Sequence, residues 1–145
     1  MSGRLVGLDV GEKRIGVALS DGLGMTAQPI GVVERKSLDK DSARILELVS
    51  EHEIDCAVAG LPLKMNGDEG EQSERVRHFC QAFTKRTGLE VVYQDERLTT
   101  AQSERMLIDS GVSRGRRRKV IDKMAATLIL QAYMDSHPGA GGGLL

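Results

Sequence analysis

The stretch from Arg4 to Ser20 reads RLVGLDVGEKRIGVALS, in which two short apolar runs flank a polar turn. Such runs predict a β-hairpin with strands at residues 4–10 and 14–20. One acid, Asp9, falls near the end of the first strand, where acids are uncommon and where burial strips a carboxylate of its hydration. Asp9 therefore has two interpretations: it holds the backbone of the turn that follows, or it binds a cation.

After this hairpin the pattern continues as a third strand at about residues 28–35 and then alternates between helices and strands. The small apolar run Cys56–Gly60 predicts a central strand covered on both faces, and Leu89–Gln94 predicts a fifth strand. Helices are predicted where apolar residues recur at helical spacing or where a capping pattern appears. These segments run from Ser37 to about Val49, around Val76–Phe83 with an end at Gly88, from Thr99 to about Gly111, and from about Arg118 to Ser136.

This order of elements predicts an α/β fold with a five-stranded mixed sheet, a three-strand antiparallel meander joined to two parallel strands, and helices on both faces. A length of 145 residues favours a single domain over residues 1–137, followed by a flexible glycine-rich tail at 138–145. On the last helix the predicted core-facing residues are Met124, Leu128, Ala132 and Tyr133.

The composition is that of an ordinary globular protein, with 28% charged and 40% hydrophobic residues. No apolar run reaches the length of a membrane span, and the first residues lack a signal-peptide pattern. The two cysteines, Cys56 and Cys80, lack the spacing of metal ligands and are expected to be reduced thiols. We therefore expect a cytoplasmic protein with no membrane partner.

Acids recur where predicted elements end. If the first and fifth strands run parallel, Asp9 and Glu96 meet at the same edge of the sheet, where they could be neighbours. The adjacent Asp95 faces the opposite side by strand alternation, and of the two we favour Glu96. A third acid, Asp122, is predicted to open the last helix, followed by small residues that allow this helix to approach the sheet. Its alternative role is that of a helix-start acid at the positive end of the helix dipole.

Three clustered carboxylates repel one another unless a cation binds between them. Mg²⁺ or Mn²⁺ suits such a set of oxygen ligands, and the histidines are too scattered to predict zinc. A two-metal site would hold ions about 4 Å apart, with Asp9 shared and with Glu96 and Asp122 each holding one ion.

A run of six cations and one acid spans Arg114–Lys123 and is predicted to be a basic loop. Beside an acidic site such a run suits a nuclease, because guanidinium groups hold phosphates, although a solvated loop is the plain alternative. Asn66 precedes a glycine and could contact nucleic acid or simply form a turn. The predicted nucleic-acid-binding residues are Lys13, Arg14, Asn66, Arg97, Arg116, Arg117, Arg118 and Lys119.

Four ordered motifs within residues 3–136 resemble the YqgF/RuvX family. They are the segment Leu8–Asp21, the loop Gly60–Leu63 with Asn66-Gly67, the segment Asp95–Thr100, and the segment Val120–Ala126. The resemblance implies an RNase H-like fold, an acidic triad at Asp9, Glu96 and Asp122, and hydrolysis of phosphodiester bonds by metal-activated water. It also implies processing of the 5′ end of the small-subunit rRNA precursor in the bacterial cytoplasm.

Three alternatives remain open from the sequence. A Holliday junction resolvase would use the same acids and metals, as a homodimer if it cuts two strands. A noncatalytic nucleic-acid-binding ribosome-assembly factor would keep the fold without the chemistry. The hairpin around Asp9 also resembles the phosphate loop of actin-like and sugar-kinase ATPases, but those proteins need two such domains, more than 145 residues provide.

Overall fold

The structure, a computed structural model, describes residues 3–98 and 114–138, without the side chains at position 98 and at positions 114–123. The predicted helix from Thr99 to Gly111 and residues 139–145 of the predicted tail lie outside the described residues. The strands are β1 (Arg4–Val10), β2 (Arg14–Ser20), β3 (Ala27–Glu34), β4 (Ile54–Leu61) and β5 (Val91–Asp95). The helices are α1 (Leu38–Leu48), α2 (Glu71–Thr87) and α3 (Arg114–Ser136), and a 3₁₀ turn spans Glu96–Leu98.

The five strands form one mixed sheet in the order β3-β2-β1-β4-β5. β2 pairs antiparallel with both β1 and β3, whereas β4 pairs parallel with both β1 and β5. The predicted fold class is therefore confirmed. Because β1, β4 and β5 point the same way, their carboxyl ends lie along one side of the sheet, which we call the carboxyl edge.

Helices cover both faces of the sheet, as predicted. On one face Val6 and Leu8 of β1 belong to a buried cluster with Phe79 and Phe83 of α2 and Ile45 of α1. On the other face a second cluster joins the sheet to α3. Alternate residues of each strand thus serve two separate cores, which explains why the strands are apolar on both sides.

The ends of α1 and α2 follow the capping residues visible in the sequence. The Ser37 hydroxyl accepts a hydrogen bond from the Lys40 amide at 3.2 Å and caps the start of α1. Gly88 ends α2 in a left-handed conformation, with φ of 79°, that glycine adopts without strain.

The start of α3 differs from the prediction. The helix begins at Arg114, so the basic run is helical and is not a loop. Arginine and lysine are good helix formers, and their charge alone does not distinguish a loop from an exposed helical turn. Asp122 consequently lies inside the helix, beyond its first turn, which removes the interpretation of a helix-start acid.

The buried face of α3 also differs from the predicted one. Met124 is 39% exposed, and Leu128, Ala132 and Tyr133 are only partly buried. The fully buried residues are Ala125, Ala126, Ile129, Leu130 and Met134. From Met124 to Leu130 every residue except Thr127 is apolar, so periodicity does not select a face there, and the fit of the helix against the sheet does.

Two glycines let α3 lie directly on the sheet. A Cβ atom at Gly7 would come within 2.8 Å of the Leu130 Cβ and 3.0 Å of the Ala126 carbonyl oxygen. A Cβ atom at Gly60 would come within 2.5 Å of the Ile129 Cδ1. The prediction that small residues allow the last helix to approach the sheet is thus confirmed. The alanines of α3 and the glycines of β1 and β4 both contribute to this close packing.

Within residues 3–98 and 114–138, no helix is both long and apolar enough to cross a membrane.

Candidate active site

Asp9 is a buried acid within an apolar strand. It is 6% exposed and follows Leu8, which is fully buried. Strand alternation puts Asp9 on the same face as Gly7, the face that α3 covers. Its partner on β2 is Gly16, so no side chain occupies the neighbouring position of that strand. The carboxylate therefore has room on a face otherwise filled by core side chains.

Glu96 lies at the same edge, directly after β5. It is 8% exposed, and burial, followed by the negative charge of Asp95, raises its pKa above the usual value of 4.5. Asp95 differs in kind because Arg97 donates to both of its carboxylate oxygens, at 3.1 Å and 2.8 Å, and lowers its pKa. The two neighbouring acids thus have pKa values shifted in opposite directions, upward for Glu96 and downward for Asp95.

The strands that carry Asp9 and Glu96 run parallel, as predicted, but they are not adjacent. β4 lies between them, so the backbones of β1 and β5 are two strand spacings, about 10 Å, apart. Both acids therefore lie at the carboxyl edge, on either side of the end of β4, and their sharing of a cation stays a prediction.

The backbone of Asp122 approaches the same end of β1. Gln131 of α3 accepts a hydrogen bond from the Ala27 amide at the start of β3, so the second half of the helix lies at the opposite edge. Ala126 packs over Gly7, and one helical turn before it, about 6 Å, leads to Asp122. Two residues along β1, a similar distance, lead from Gly7 to Asp9. The helix therefore carries Asp122 toward the Asp9 end of the sheet.

The described acids are chemically suited to a hard divalent cation. Carboxylate oxygens are the ligands that Mg²⁺ and Mn²⁺ prefer, and Asp9 and Glu96 are buried carboxylates at one edge. Among the described side chains, a set without that of Asp122, no three His, Cys, Asp or Glu residues gather as a metal site. Each of the two described acids therefore offers the kind of oxygen ligand that such a cation takes.

The turn that follows Asp9 is held from two directions. Arg35 Nη1 donates to the Gly11 carbonyl oxygen at 3.0 Å, and the Arg35 amide donates to the Lys13 carbonyl oxygen at 2.9 Å. Arg75 of α2 forms an ion pair with Glu12. Sequence reasoning missed both arginines, although the position of Arg35 just after a strand that ends at the same edge was a usable signal.

The Arg35 guanidinium is itself fixed by the core. It lies 5.2 Å from the centre of the Phe79 ring and 3.7 Å from the buried carboxylate of Asp41. A cation that is stacked and paired in this way is preorganised to hold the turn.

Two of the predicted phosphate contacts are engaged within the protein. The Arg14 Nε lies 3.5 Å from a carboxylate oxygen of Glu34 on β3, and the Arg14 side chain is 20% exposed. Arg97 contacts Asp95 and also donates to the Met65 carbonyl oxygen at 3.1 Å. Arg97 thereby ties the loop after β4 to the end of β5.

The remaining candidates divide into three kinds. Asn66 forms a turn: its Oδ1 accepts from the Asp68 amide at 2.9 Å and its Nδ2 donates to the Asp68 carboxylate at 3.0 Å. Lys13 is exposed in the turn between β1 and β2. The backbones of Arg116, Arg117, Arg118 and Lys119 belong to α3, and their side chains lie outside the described part.

Comparison with solved structures shows the same fold in junction-resolving enzymes. The RuvC protein of Thermus thermophilus, solved in complex with a Holliday junction substrate, aligns with a TM-score of 0.54 at 14% identity. The alignment covers 94% of this chain and 96% of that one. A Fowlpox virus resolvase aligns with a TM-score of 0.53 at 12% identity over 92% of this chain and 97% of that one. At these identities the likeness shows a shared fold.

Comparison of sequences is more specific. A protein of Symbiobacterium thermophilum named "Putative pre-16S rRNA nuclease" is 51% identical over 133 residues, covering 92% of each chain. A protein of Desulforamulus reducens with the same name is 49% identical over 133 residues, covering 92% of this chain and 97% of that one. The family model RuvX, described as Holliday junction resolvase, matches residues 3–136. This chain therefore belongs to the RuvX family.

Proposed function

We propose that this chain is a divalent-metal-dependent nuclease that trims the 5′ end of the 16S rRNA precursor in the bacterial cytoplasm. The observation that carries the proposal is the pair of buried carboxylates, Asp9 and Glu96, at the carboxyl edge of the sheet. Burying a carboxylate costs free energy. Two acids kept in buried positions at one edge therefore indicate a functional site. The names of the sequence relatives supply the substrate class.

In this proposal Asp9, Glu96 and Asp122 hold Mg²⁺ or Mn²⁺, with Asp9 as the shared ligand. The bound metal supplies activation of water and stabilisation of negative charge on the leaving oxygen. The protein keeps its acids fixed: β1 is pinned between two paired strands, and Arg35 holds the turn beyond Asp9. α3 packs over Gly7, on the same face of β1 as Asp9.

The proposal is tested by replacing Asp9 with Asn. This change keeps the size of the side chain and removes its charge, so we expect cleavage of precursor 16S rRNA in Mg²⁺ or Mn²⁺ to fall by at least about 100-fold, while RNA binding persists. The matched control is Asp55→Asn, which neutralises an exposed acid near the other end of β4. Unchanged cleavage by the Asp9 variant would rule out this active site, and absence of cleavage by the wild-type protein would favour a noncatalytic assembly factor.

A second candidate function is the resolution of four-way DNA junctions, which the description of the matching family favours. The same acids would serve, because the chemistry is again phosphodiester hydrolysis. We propose that a resolvase of this size acts as a homodimer, since it must cut two strands. Side-by-side cleavage of precursor rRNA and of a four-way junction, at one stated salt concentration, decides between the two substrates.

A further inference from the structure

The carboxyl edge carries two kinds of cation. Four arginines whose side chains the structure describes are paired there with acids of the protein, and each pair cancels one negative charge beside the site. The pairs are Arg14 with Glu34, Arg35 with Asp41, Arg75 with Glu12, and Arg97 with Asp95. The positive charge of these four arginines is therefore balanced within the protein.

Three lysines at the same edge are placed differently. Lys13 lies in the turn after β1, Lys36 follows β3, and Lys64 follows β4, and all three side chains are exposed. None of them takes part in an ion pair with another side chain in the described part of the chain. Their positive charges are thus available to a partner.

The three lysines lie on both sides of Asp9. The Lys13 carbonyl oxygen accepts a hydrogen bond from the Arg35 amide at 2.9 Å, which brings Lys36 beside Lys13 on the β2–β3 side. Lys64 follows β4, on the opposite side of β1. From β3 to β4 the edge spans three strand spacings, about 14 Å, with Asp9 within this span.

The loop that carries Lys64 is held in place. Arg97 donates to the carbonyl oxygens of Lys64 and Met65, and the Gly67 amide donates back to the Lys64 carbonyl oxygen at 2.8 Å. The backbone that presents this ammonium group is therefore ordered before a partner binds, which lowers the entropic cost of binding.

We propose that Lys13, Lys36 and Lys64 form a phosphate-contacting surface that holds the nucleic-acid backbone across Asp9. Lysine ammonium groups are flexible point charges that bind phosphates of any sequence, so this surface positions the substrate without reading bases. Asp68 shares the loop with Lys64 and is an exposed acid, so Lys64 contributes least. The proposal takes its substrate class from the proposed function and does not depend on hydrolysis.

The test measures binding of a fluorescent single-stranded fragment of precursor 16S rRNA, with chelator present so that no cleavage occurs. Each lysine is changed to Gln alone, and all three are changed together. We expect the Lys13 and Lys36 changes each to reduce the slope of log K against log salt by about 0.7, the value for one phosphate contact on a single strand, and the Lys64 change to reduce it by less. Lys85→Gln, an exposed lysine in the last turn of α2, is the control and leaves the slope unchanged.

The outcomes separate this surface from the nuclease proposal. A triple variant that keeps the wild-type slope overturns the surface, as does a wild-type protein that fails to bind RNA at low salt. If the slope falls as expected but the wild-type protein cleaves no substrate in metal, the surface holds and the nuclease proposal fails. Variants whose circular dichroism matches wild type are the ones compared.

Discussion

Two neighbouring acids at the end of β5 have opposite electrostatic environments. Asp95 is matched by Arg97, chiefly through hydrogen bonds from its side chain, and its pKa is lowered. Glu96 is buried beside that same negative charge, and its pKa is raised. Asp95 therefore stabilises the fold when ionised, whereas ionised Glu96 destabilises it in the absence of a cation.

We predict that Glu96→Gln stabilises the metal-free protein and abolishes cleavage. The folded pKa of Glu96 lies above its unfolded value, so its contribution to stability is present at low pH and is lost as the pH rises through the folded pKa. Gln removes that loss. Thermal melts in chelator should give the variant a higher Tm than wild type at pH 7 and a shrinking difference below about pH 4.5, the ordinary value for Glu.

The control for this experiment is Asp95→Asn, which removes the neighbouring acid, whose pKa is lowered by Arg97. Its Tm should fall at neutral pH, because Arg97 loses its partner. A Glu96 variant that is less stable than wild type in chelator at pH 7 would contradict the account of Glu96 as a strained acid.

For single residues, the sequence indicated where the candidate site acids lie in the fold but not which side chains contact one another. Asp9 and Glu96 could be selected because each falls where a strand ends, and strand ends are visible in the apolar pattern. The engagement of Arg14 could not be predicted, because Glu34 becomes its neighbour only when β2 pairs with β3. Charged side chains at an edge can face either a substrate or the protein, and tertiary pairing decides which.

The contact between α3 and the sheet is the element-scale feature on which the candidate site depends. Because Gly60 and Gly7 have no side chains, α3 packs directly against the backbone of β4 and β1. Steric contact at these two glycines therefore sets the distance between the helix and the sheet. The same helix carries Asp122, so the distance between α3 and the sheet sets how closely Asp122 can approach the strand acids.

We predict that Gly60→Ala lowers stability by about 1–3 kcal/mol and reduces cleavage, because the added Cβ meets the Ile129 Cδ1 at 2.5 Å. Adding Ile129→Val removes the Cδ1 methyl group and should restore much of the lost stability and much of the lost cleavage. Denaturant unfolding checks the stability, and initial rates of cleavage across a Mg²⁺ series check the activity. A larger Mg²⁺ requirement in the Gly60→Ala variant than in wild type indicates that the distance between α3 and the sheet controls the site.

The control is Gly31→Ala on β3, where a Cβ would lie 3.5 Å from the nearest Leu48 atom, an ordinary contact. Its stability and rate should stay near wild type. Equal effects of Ile129→Val in the presence and absence of the Gly60 substitution would show that the two positions are not coupled.

Among the elements, strands were predicted more closely than α3. β1 and β2 match their predicted bounds because alternating apolar residues and a short turn specify a hairpin. The start and the buried face of α3 were not predicted, because a basic run is compatible with both a helix and a loop and because every residue of Met124–Leu130 except Thr127 is apolar. The glycines on the sheet, distant in sequence, select the face.

At the scale of the whole molecule, the order of elements along the chain was enough to predict a mixed sheet between two helical layers. Short connections force β1, β2 and β3 into a meander, and longer helical connections make β4 and β5 parallel to β1. The order of strands within the sheet was not predicted, so the distance between the ends of β1 and β5 became known only from the structure.

The contact between Gly60 and Ile129 has an evolutionary consequence. In a RuvX relative with Ala or Ser at the position of Gly60, we predict a residue smaller than Ile at the position of Ile129, since their combined volume must fit one gap. An alignment of the family checks this pairwise covariation. Relatives with large residues at both positions and no insertion or deletion nearby would contradict this prediction. They would show that the helix can lie farther from the sheet while the protein keeps its fold and function.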